Sequence, residues 1–367
     1  MSKILILVNH AMTLYNFRTE LVEALLAEGH EVVISSPYDE RLEEFRAKGC
    51  ILRDISLSRH GVNPFRELKL ISDYKRLLKE IRPDMVFSYT IKPNIYGAIA
   101  CRSRGIPLVA NITGLGGALE NGGFIRAIAI ALYKYAFKSV RKVFFQNTGD
   151  LRFFTERGIL RDRYGLLPGS GVNLERFTPL YYPQDGTVRF LFVGRITAAK
   201  GIGEYLTAAR AIRNEYPHTE FHLCGYCETG YEALLNAAIT DHTVIYHGEV
   251  EDVRPLLRDA HCIVLPSYHE GMANALLEGA ASARPVIATN IHGCREIFDD
   301  GITGFSCQPR STDSLEDAMK RFIALPYEDK MQMGSAGYRK VATEFDRRIV
   351  VNAYLSEVRA LSNRTQA

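Results

Sequence analysis

Short apolar runs alternate with stretches whose apolar residues recur every three to four positions, from the first residues to about position 290. That alternation is the signature of parallel α/β sheets, in which each buried strand is followed by a helix that covers it. Residues 4–8 read as a buried strand and 16–28 as a helix with Leu21, Leu25 and Leu26 inward; Gly29-His30 then breaks into a strand at 31–35. Strands are predicted at 84–89, 108–112, 143–146 and 164–167, with a helix at 96–104. After Pro168 the period lapses. Residues 169–186 hold three Gly and two Pro and read as a linker.

A second alternating set follows, with strands at 189–193, 220–224, 244–247, 262–266 and 286–289 and helices at 202–216, 231–238, 253–259 and 273–283. Two such sets in succession predict an α/β protein of two doubly wound, Rossmann-like domains facing across a cleft. The predicted boundaries are 1–172 and 173–345. Residues 346–367 supply a closing helix that either packs locally or crosses back to the first domain.

Composition narrows the class. With 367 residues, 47% hydrophobic and 24% charged, the chain can bury full cores, which excludes a disordered or fibrous protein. A net charge of +3 argues against a general nucleic-acid binder. The charge is uneven, however: residues 1–180 carry 26 Lys and Arg against 18 Asp and Glu, and residues 181–367 carry 19 against 24. The first half is therefore expected to meet something anionic. Seven scattered cysteines, an odd number, favour a reducing compartment. The N-terminus reads as a strand rather than a signal peptide, and no run reaches the roughly 18 apolar residues of a membrane span. The expected location is the cytoplasm, at most on a membrane surface.

The first strand ends in Asn9-His10-Ala11-Met12, so the GxGxxG dinucleotide fingerprint is missing where a dehydrogenase would place it, and GxxxxGK[ST] is absent too. Nor is there an Asp-x-Asp triplet to hold a divalent metal beside a diphosphate. Charge neutralisation then falls to side-chain cations and helix termini, and no metal or other cofactor is expected. Two cations stand at a predicted strand end in FVGRITAAKG: Arg195 after Gly194, and Lys200 before the next helix. Arg chelates two phosphate oxygens and Lys supplies a point charge; a solvated loop is the alternative at equal weight. The stronger signal is PSYHEGMANALLEGAASARPVIAT, where a strand runs into a helix predicted to start near Met272. Backbone N–H groups of residues 271–274 (Gly271, Met272, Ala273, Asn274) would then form an anion site at the positive end of the helix dipole. Glu270 and Glu278 would flank it on one side and accept hydrogen bonds from sugar and ribose hydroxyls. Cys224-Gly-Tyr-Cys227 has metal or redox spacing but no completing pair, and reads as two ordinary loop cysteines.

Arg195, Lys200 and the Glu270-x7-Glu278 arrangement resemble the donor site of retaining glycosyltransferases of family four, which have the two-domain GT-B fold, and the resemblance extends along nearly the whole chain. It implies that Arg195 and Lys200 hold the nucleotide diphosphate, that Glu270 meets the transferred sugar and that Glu278 binds the ribose. Gly271, Met272 and Ala273 would supply N–H contacts, although Met272-Ala273 replaces the Phe-Gly or Phe-Pro more usual there. In the first domain FSYTIKPNIYG, NITGLGG, FFQNTGDLRFF and LPGSGVNLERF are similar to the branch of capsular polysaccharide M-like enzymes and the bacterial N-glycan N-acetylgalactosaminyltransferase. That branch implies a UDP-sugar donor, often of N-acetylhexosamine or galactose type, and an undecaprenyl-diphosphate-linked acceptor at the inner membrane face.

Thr113-Gly114 stands where many family-four enzymes have a His, so a catalytic His does not carry over. His10 is a substitute or a structural residue with equal weight, and Lys92 meets the acceptor diphosphate, the reacting sugar or solvent. Gly114, Gly116, Gly117, Gly122 and Gly123 are expected to form a mobile loop over the acceptor side. In the amphipathic stretch that follows, Arg126, Lys134, Lys138, Arg141 and Lys142 are predicted on one side and Ile125, Ile128, Ala129, Leu132 and Ala136 on the other. With Arg59, Arg66, Lys69, Lys75, Arg76 and Lys79 interleaved with Phe65 and Tyr74, the basic face suits an anionic membrane surface. The rival readings are a UDP-N-acetylglucosamine 2-epimerase-like enzyme of the same fold and a non-catalytic nucleotide-sugar-binding protein.

Overall fold

Strands β1 (Lys3–Leu7), β2 (Glu31–Ser36), β3 (Ile51–Asp54), β4 (Met85–Tyr89), β5 (Leu108–Ile112), β6 (Lys142–Phe145) and β7 (Tyr164–Leu166) form one sheet. These elements come from a computed structural model that describes residues 1–57, 63–116, 119 and 123–365, with side chains through residue 361. The sheet order is β3-β2-β1-β4-β5-β6-β7 and every pairing is parallel. Alternate residues of the central strands serve opposite faces, as a period of two requires. Leu5, Leu7, Val86 and Ala110 enter one core with Tyr133 and Phe154, whereas Ile4, Ile6, Phe87 and Val109 enter another with Leu21 and Tyr354.

The predicted helix over 16–28 is two helices, Ala11–Phe17 and Thr19–Ala27, hinged at Arg18, whose φ of −138° is not helical. The helix predicted at 96–104 opens as a π-helical turn, Pro93–Gly97, and continues as Ala98–Arg102. Strand β3 and the helix Pro64–Ile81 escape the pattern reading. β3 is a half-exposed edge strand of four residues, and the helix's apolar stripe, Leu70, Tyr74, Leu77, Leu78 and Ile81, is interleaved with cations. In the helix Gly123–Ala136 the buried side is Ala129, Tyr133 and Ala136. Phe124, Ile125, Ile128 and Tyr135 are exposed, the reverse of the expectation for the two isoleucines. Arg141 and Lys142 lie beyond this helix; Lys142 opens β6. Arg59, Gly117 and Gly122 fall outside the described residues.

Strands β8 (Val188–Val193), β9 (Thr219–Cys224), β10 (Ile245–Tyr246), β11 (Cys262–Leu265), β12 (Val286–Thr289) and β13 (Gly304–Cys307) form the second sheet, in the order β10-β9-β8-β11-β12-β13, again parallel throughout. The helices Thr312–Ala324 and Tyr327–Glu344 complete this layer. Residues 171–186 are not a free linker. They belong to the second unit because the fully buried Arg284 satisfies their irregular backbone, donating to the carbonyls of Leu180 (3.2 Å) and Tyr181 (2.6 Å) and to that of Leu257 (2.8 Å).

The chain divides into two units: Met1–Ser170 with the segment from Arg347 onward, and Gly171–Asp346. The helix Arg347–Thr365 is packed on the first unit through Val350, Tyr354, Leu355 and Val358. It is tied there by Arg347 to Glu20 (2.8 Å), Asn111 to the Tyr354 hydroxyl (2.9 Å) and Arg141 to Glu357 (2.8 Å). Counting by units widens the charge asymmetry: 29 basic against 18 acidic residues in the first, 16 against 24 in the second.

Candidate active site

Each sheet reverses its strand order once, between β1 and β4 in the first unit and between β8 and β11 in the second. Ligands of open α/β sheets bind at the carboxyl ends beside such a reversal. In the second unit the two loops that leave β8 and β11 carry the predicted donor residues. Lys200, in the 3-10 turn Ala198–Lys200 after β8, forms an ion pair with Glu270 in the loop after β11, and both side chains are largely buried. Ser267 Oγ donates to the same carboxylate at 2.7 Å, and Tyr268 N–H donates to the Ala199 carbonyl at 2.9 Å, so the two loops are tied by backbone as well as charge. Arg195 leans the other way. It pairs with Glu228, from the loop after β9, and remains 61% exposed.

The helix that follows β11 is Asn274–Ala281, two residues later than expected, with Ala273 as its cap and no side chain capping it. Ala273 N–H does not serve a ligand, because it donates to the Gly293 carbonyl at 2.8 Å. Asn274 opens the helix with its Oδ1 buried and without a hydrogen-bond partner. A buried polar atom in that state costs free energy unless something binds to it. Gly271 and Met272 are buried at the same loop, and Glu278 is half-buried one helical turn after Asn274. Glu270 lies in the irregular loop before the helix, so helical periodicity does not put it on the Glu278 side.

Several supporting residues were invisible to the sequence reading. Gly293, after β12, has φ +85°, and a Cβ there would sit 2.6 Å from the Glu270 carbonyl oxygen. Glu228 was masked by the Cys224-x2-Cys227 spacing; both thiols are free. Tyr268 donates to Glu204 at 2.5 Å, and burial together with that carboxylate pushes its phenol up to about 12, so it stays a donor at neutral pH. The sequence signal for Gly293 is the His292-Gly293-Cys294 triplet after a strand.

At the carboxyl edge of the first sheet, His10 follows β1, Lys92 follows β4, and Thr113 and Gly114 follow β5, three neighbouring strands. His10 caps the helix Ala11–Phe17: its Nδ1 accepts from Met12 N–H at 3.1 Å, which puts the neutral ring's proton on Nε2. Lys92 pairs with Glu67 at 2.6 Å, both largely buried. Just before it Thr90 has φ +70°, unusual for a β-branched residue, and a buried Oγ1 without a partner. Gly116, at φ +68°, abuts Ile91, joining the loops after β4 and β5.

Two family models match the chain in order: "Glycosyl transferase 4-like" over residues 3–147 and "Glycosyl transferases group 1" over residues 187–324. The chain therefore belongs to the group 1 glycosyltransferases and is a glycosyltransferase of the two-domain GT-B type. It is 25% identical, over 94% of both chains, to the Campylobacter jejuni N,N'-diacetylbacillosaminyl-diphospho-undecaprenol alpha-1,3-N-acetylgalactosaminyltransferase. It is 27% identical, over 70% of this chain and 72% of the other, to an Escherichia coli UDP-Gal:alpha-D-GlcNAc-diphosphoundecaprenol alpha-1,3-galactosyltransferase. Among solved structures it is similar in fold to a Rickettsia africae glycosyltransferase (TM-score 0.79, 18% identity, 98% of both chains). The Anabaena protein HepE with UDP-glucose is alike at the same level (TM-score 0.79, 17% identity, 98% of this chain and 100% of that one).

Proposed function

We propose that this protein moves a sugar, of N-acetylhexosamine or galactose type, from a UDP-sugar to an undecaprenyl-diphosphate-linked saccharide, with retention and without a metal, in cell-surface polysaccharide or glycan synthesis. The observation that carries the reading is the Lys200–Glu270 pair at the β8/β11 reversal, beside an uncapped helix start whose first residue holds an unpartnered buried oxygen. The printed activities of the Campylobacter and Escherichia relatives support the donor and acceptor classes. In this reading the second unit binds the nucleotide sugar and the first unit the acceptor.

The diphosphate lies against Arg195, Lys200 and the backbone at Gly271 and Met272. Its charge grows as the bond from sugar C1 to the β-phosphate oxygen breaks with the electron pair going to phosphate. Fixed cations and the helix dipole lower the barrier because they are already oriented when that charge develops. The acceptor hydroxyl forms its bond to C1 on the face the phosphate leaves, and its proton passes to the departing phosphate oxygen. Glu270 exchanges Lys200 for a sugar hydroxyl, and Glu278 accepts from the ribose. Both cations pair with carboxylates, Arg195 with Glu228 and Lys200 with Glu270, so the diphosphate competes with these carboxylates for them.

The exposed apolar side of the helix Gly123–Ala136 supports a location on the cytoplasmic face of the membrane. Phe124, Ile128 and Tyr135 form one stripe at helical spacing, and Phe65 and Leu68 are exposed on the helix Pro64–Ile81 beside Arg66 and Lys69. Apolar side chains enter the interface while cations meet anionic headgroups. No described helix is long and apolar enough to cross a membrane.

The test of the donor site is kinetic. Arg195→Ala and Lys200→Met should each lower kcat/KM by about 10²- to 10³-fold with the circular dichroism unchanged. Glu228→Gln, which removes the carboxylate competing for Arg195, should lower the donor KM. Near-normal turnover in Arg195→Ala contradicts the assignment.

A further inference from the structure

The amino edge of the first sheet, opposite the edge that carries His10 and Lys92, holds a cavity of about 720 Å³ lined by Arg102, Arg141, Lys142, Arg163 and Glu357, among others. The cations come from separate pieces of chain. Arg102 ends the helix Ala98–Arg102, Arg141 and Lys142 lead into β6, and Arg163 precedes β7. Glu357, on the closing helix, takes the Arg141 Nε–H at 2.8 Å and is the one carboxylate among the described lining residues. Four cations line the concavity with this one acid, and a second carboxylate, the exposed Asp162, faces Arg163 from beside it at 3.7 Å.

Ordinary structural needs absorb only part of this charge. Helices of a parallel sheet end at its amino edge, where their last carbonyls favour cations, and that accounts for Arg102. Arg102 also stacks on Tyr135, 5.1 Å from the ring centroid. Lys142 is a strand residue, and Arg163 sits at φ +60°, a backbone state that glycine adopts at lower cost. Arg163 donates to the Val140 carbonyl at 3.3 Å, which ties its guanidinium to the segment that carries Arg141 and Lys142. With Arg141 on Glu357 and Arg163 facing the exposed Asp162 at 3.7 Å, the four cations still exceed the two acids by two charges. That excess suits a phosphate or diphosphate, which takes forked Arg donors and a Lys together.

We infer that this cavity is a second anion site, for a phosphate-bearing ligand gripped by Lys142, Arg163 and, in exchange for Glu357, Arg141. The ligand is a soluble di- or polyphosphate or the headgroup of an anionic lipid; the second source gains from Tyr135, which continues the exposed apolar stripe beside the cavity. The site is independent of the transfer reaction. None of its residues belongs to the donor loops or to the carboxyl edge of the first sheet.

The probes are inorganic pyrophosphate, read by calorimetry, and phosphatidylcholine vesicles with and without phosphatidylglycerol, read by sedimentation. Pyrophosphate is titrated into Arg195→Ala/Lys200→Met protein, so that the donor loops do not contribute. Binding should persist there, weaken by about tenfold or more when Arg163→Gly and Lys142→Met are added, and tighten in Glu357→Gln, which frees Arg141. Arg163→Gly suits the left-handed backbone, so the fold is kept, and sugar transfer by the cavity variants in the native background should be unchanged. Loss of phosphatidylglycerol retention in the cavity variants supports the site with a lipid headgroup as ligand; pyrophosphate binding with unchanged retention supports it with a soluble one. If pyrophosphate binding and vesicle retention are both indifferent to Arg163→Gly/Lys142→Met, the proposal is overturned.

Discussion

A Cβ built on Gly201 would fall 2.1 Å from the carbonyl oxygen of Pro266. Gly201 follows Lys200, and Pro266 follows β11, so this approach sets how close the two donor loops come. Gly201 also has φ +72°, which an L side chain adopts only at a cost. The pairing of Lys200 with Glu270 thus depends on a glycine whose role is steric.

Gly201→Ala should therefore lower the melting temperature by several degrees, from a backbone penalty of about 1 kcal/mol plus the displacement of Pro266, and cut turnover by about tenfold or more. The control is Gly203→Ala in the helix Ile202–Glu215, where a Cβ meets nothing within 4 Å. It should be neutral or stabilising by roughly 0.5–1 kcal/mol. Thermal melts and initial rates of the two variants distinguish a steric role from general glycine loss.

Acid should weaken the second unit through His261. Burial, aided by the Arg189 charge, pulls its imidazole down to about 4, and its Nδ1 accepts from Arg189 N–H at 3.2 Å. The folded state therefore holds this ring neutral while the unfolded chain protonates near 6.5. Stability from this group is complete above about pH 6.5 and is lost as pH falls from there toward 4, by on the order of 3 kcal/mol. Urea titrations at pH 7, 5.5 and 4.5 should show that decline, and His261→Asn, which keeps an acceptor but does not titrate, should flatten it.

On the first unit, Phe124→Ser/Ile128→Ser should reduce retention on phosphatidylglycerol vesicles without altering the fold, because both side chains are exposed at 81% and 44%. Two buried apolar side chains contribute about 3 kcal/mol or more to interfacial binding, enough to read as a large fall in the bound fraction. Unchanged retention removes this helix from the membrane reading.

The strand pattern was legible because central strands of a parallel sheet are buried on both faces and read as unbroken apolar runs: 108–112 and 286–289 coincide with β5 and β12. The helix over 123–136 departs from its hydrophobic pattern at two positions. Ala129 and Ala136 pack inward as expected, joined by Tyr133, but Ile125 and Ile128 are spent on the surface, where a ranking by hydrophobicity would bury them. In the candidate site, Arg195, Lys200 and Glu270 stand out in sequence as charged residues after strands, and Glu278 as an acid inside an apolar helix. Glu228 and Gly293 act on those residues from other loops, and only the fold brings such contributions together. The position of the helix start, at Asn274 rather than Met272, rests on the backbone bond from Ala273 to Gly293, which no local pattern encodes.

The central claim is sugar transfer from a UDP-sugar to a lipid-linked acceptor. The most direct measurement is release of UDP from UDP-N-acetylgalactosamine and UDP-galactose, with and without an undecaprenyl-diphosphate-linked saccharide, together with the anomeric configuration of any product. The account predicts UDP release that depends on the acceptor and an α-linked product from the α-linked donor. Isomerisation of the UDP-sugar without acceptor, or binding of the donor with no turnover under any acceptor, would contradict it.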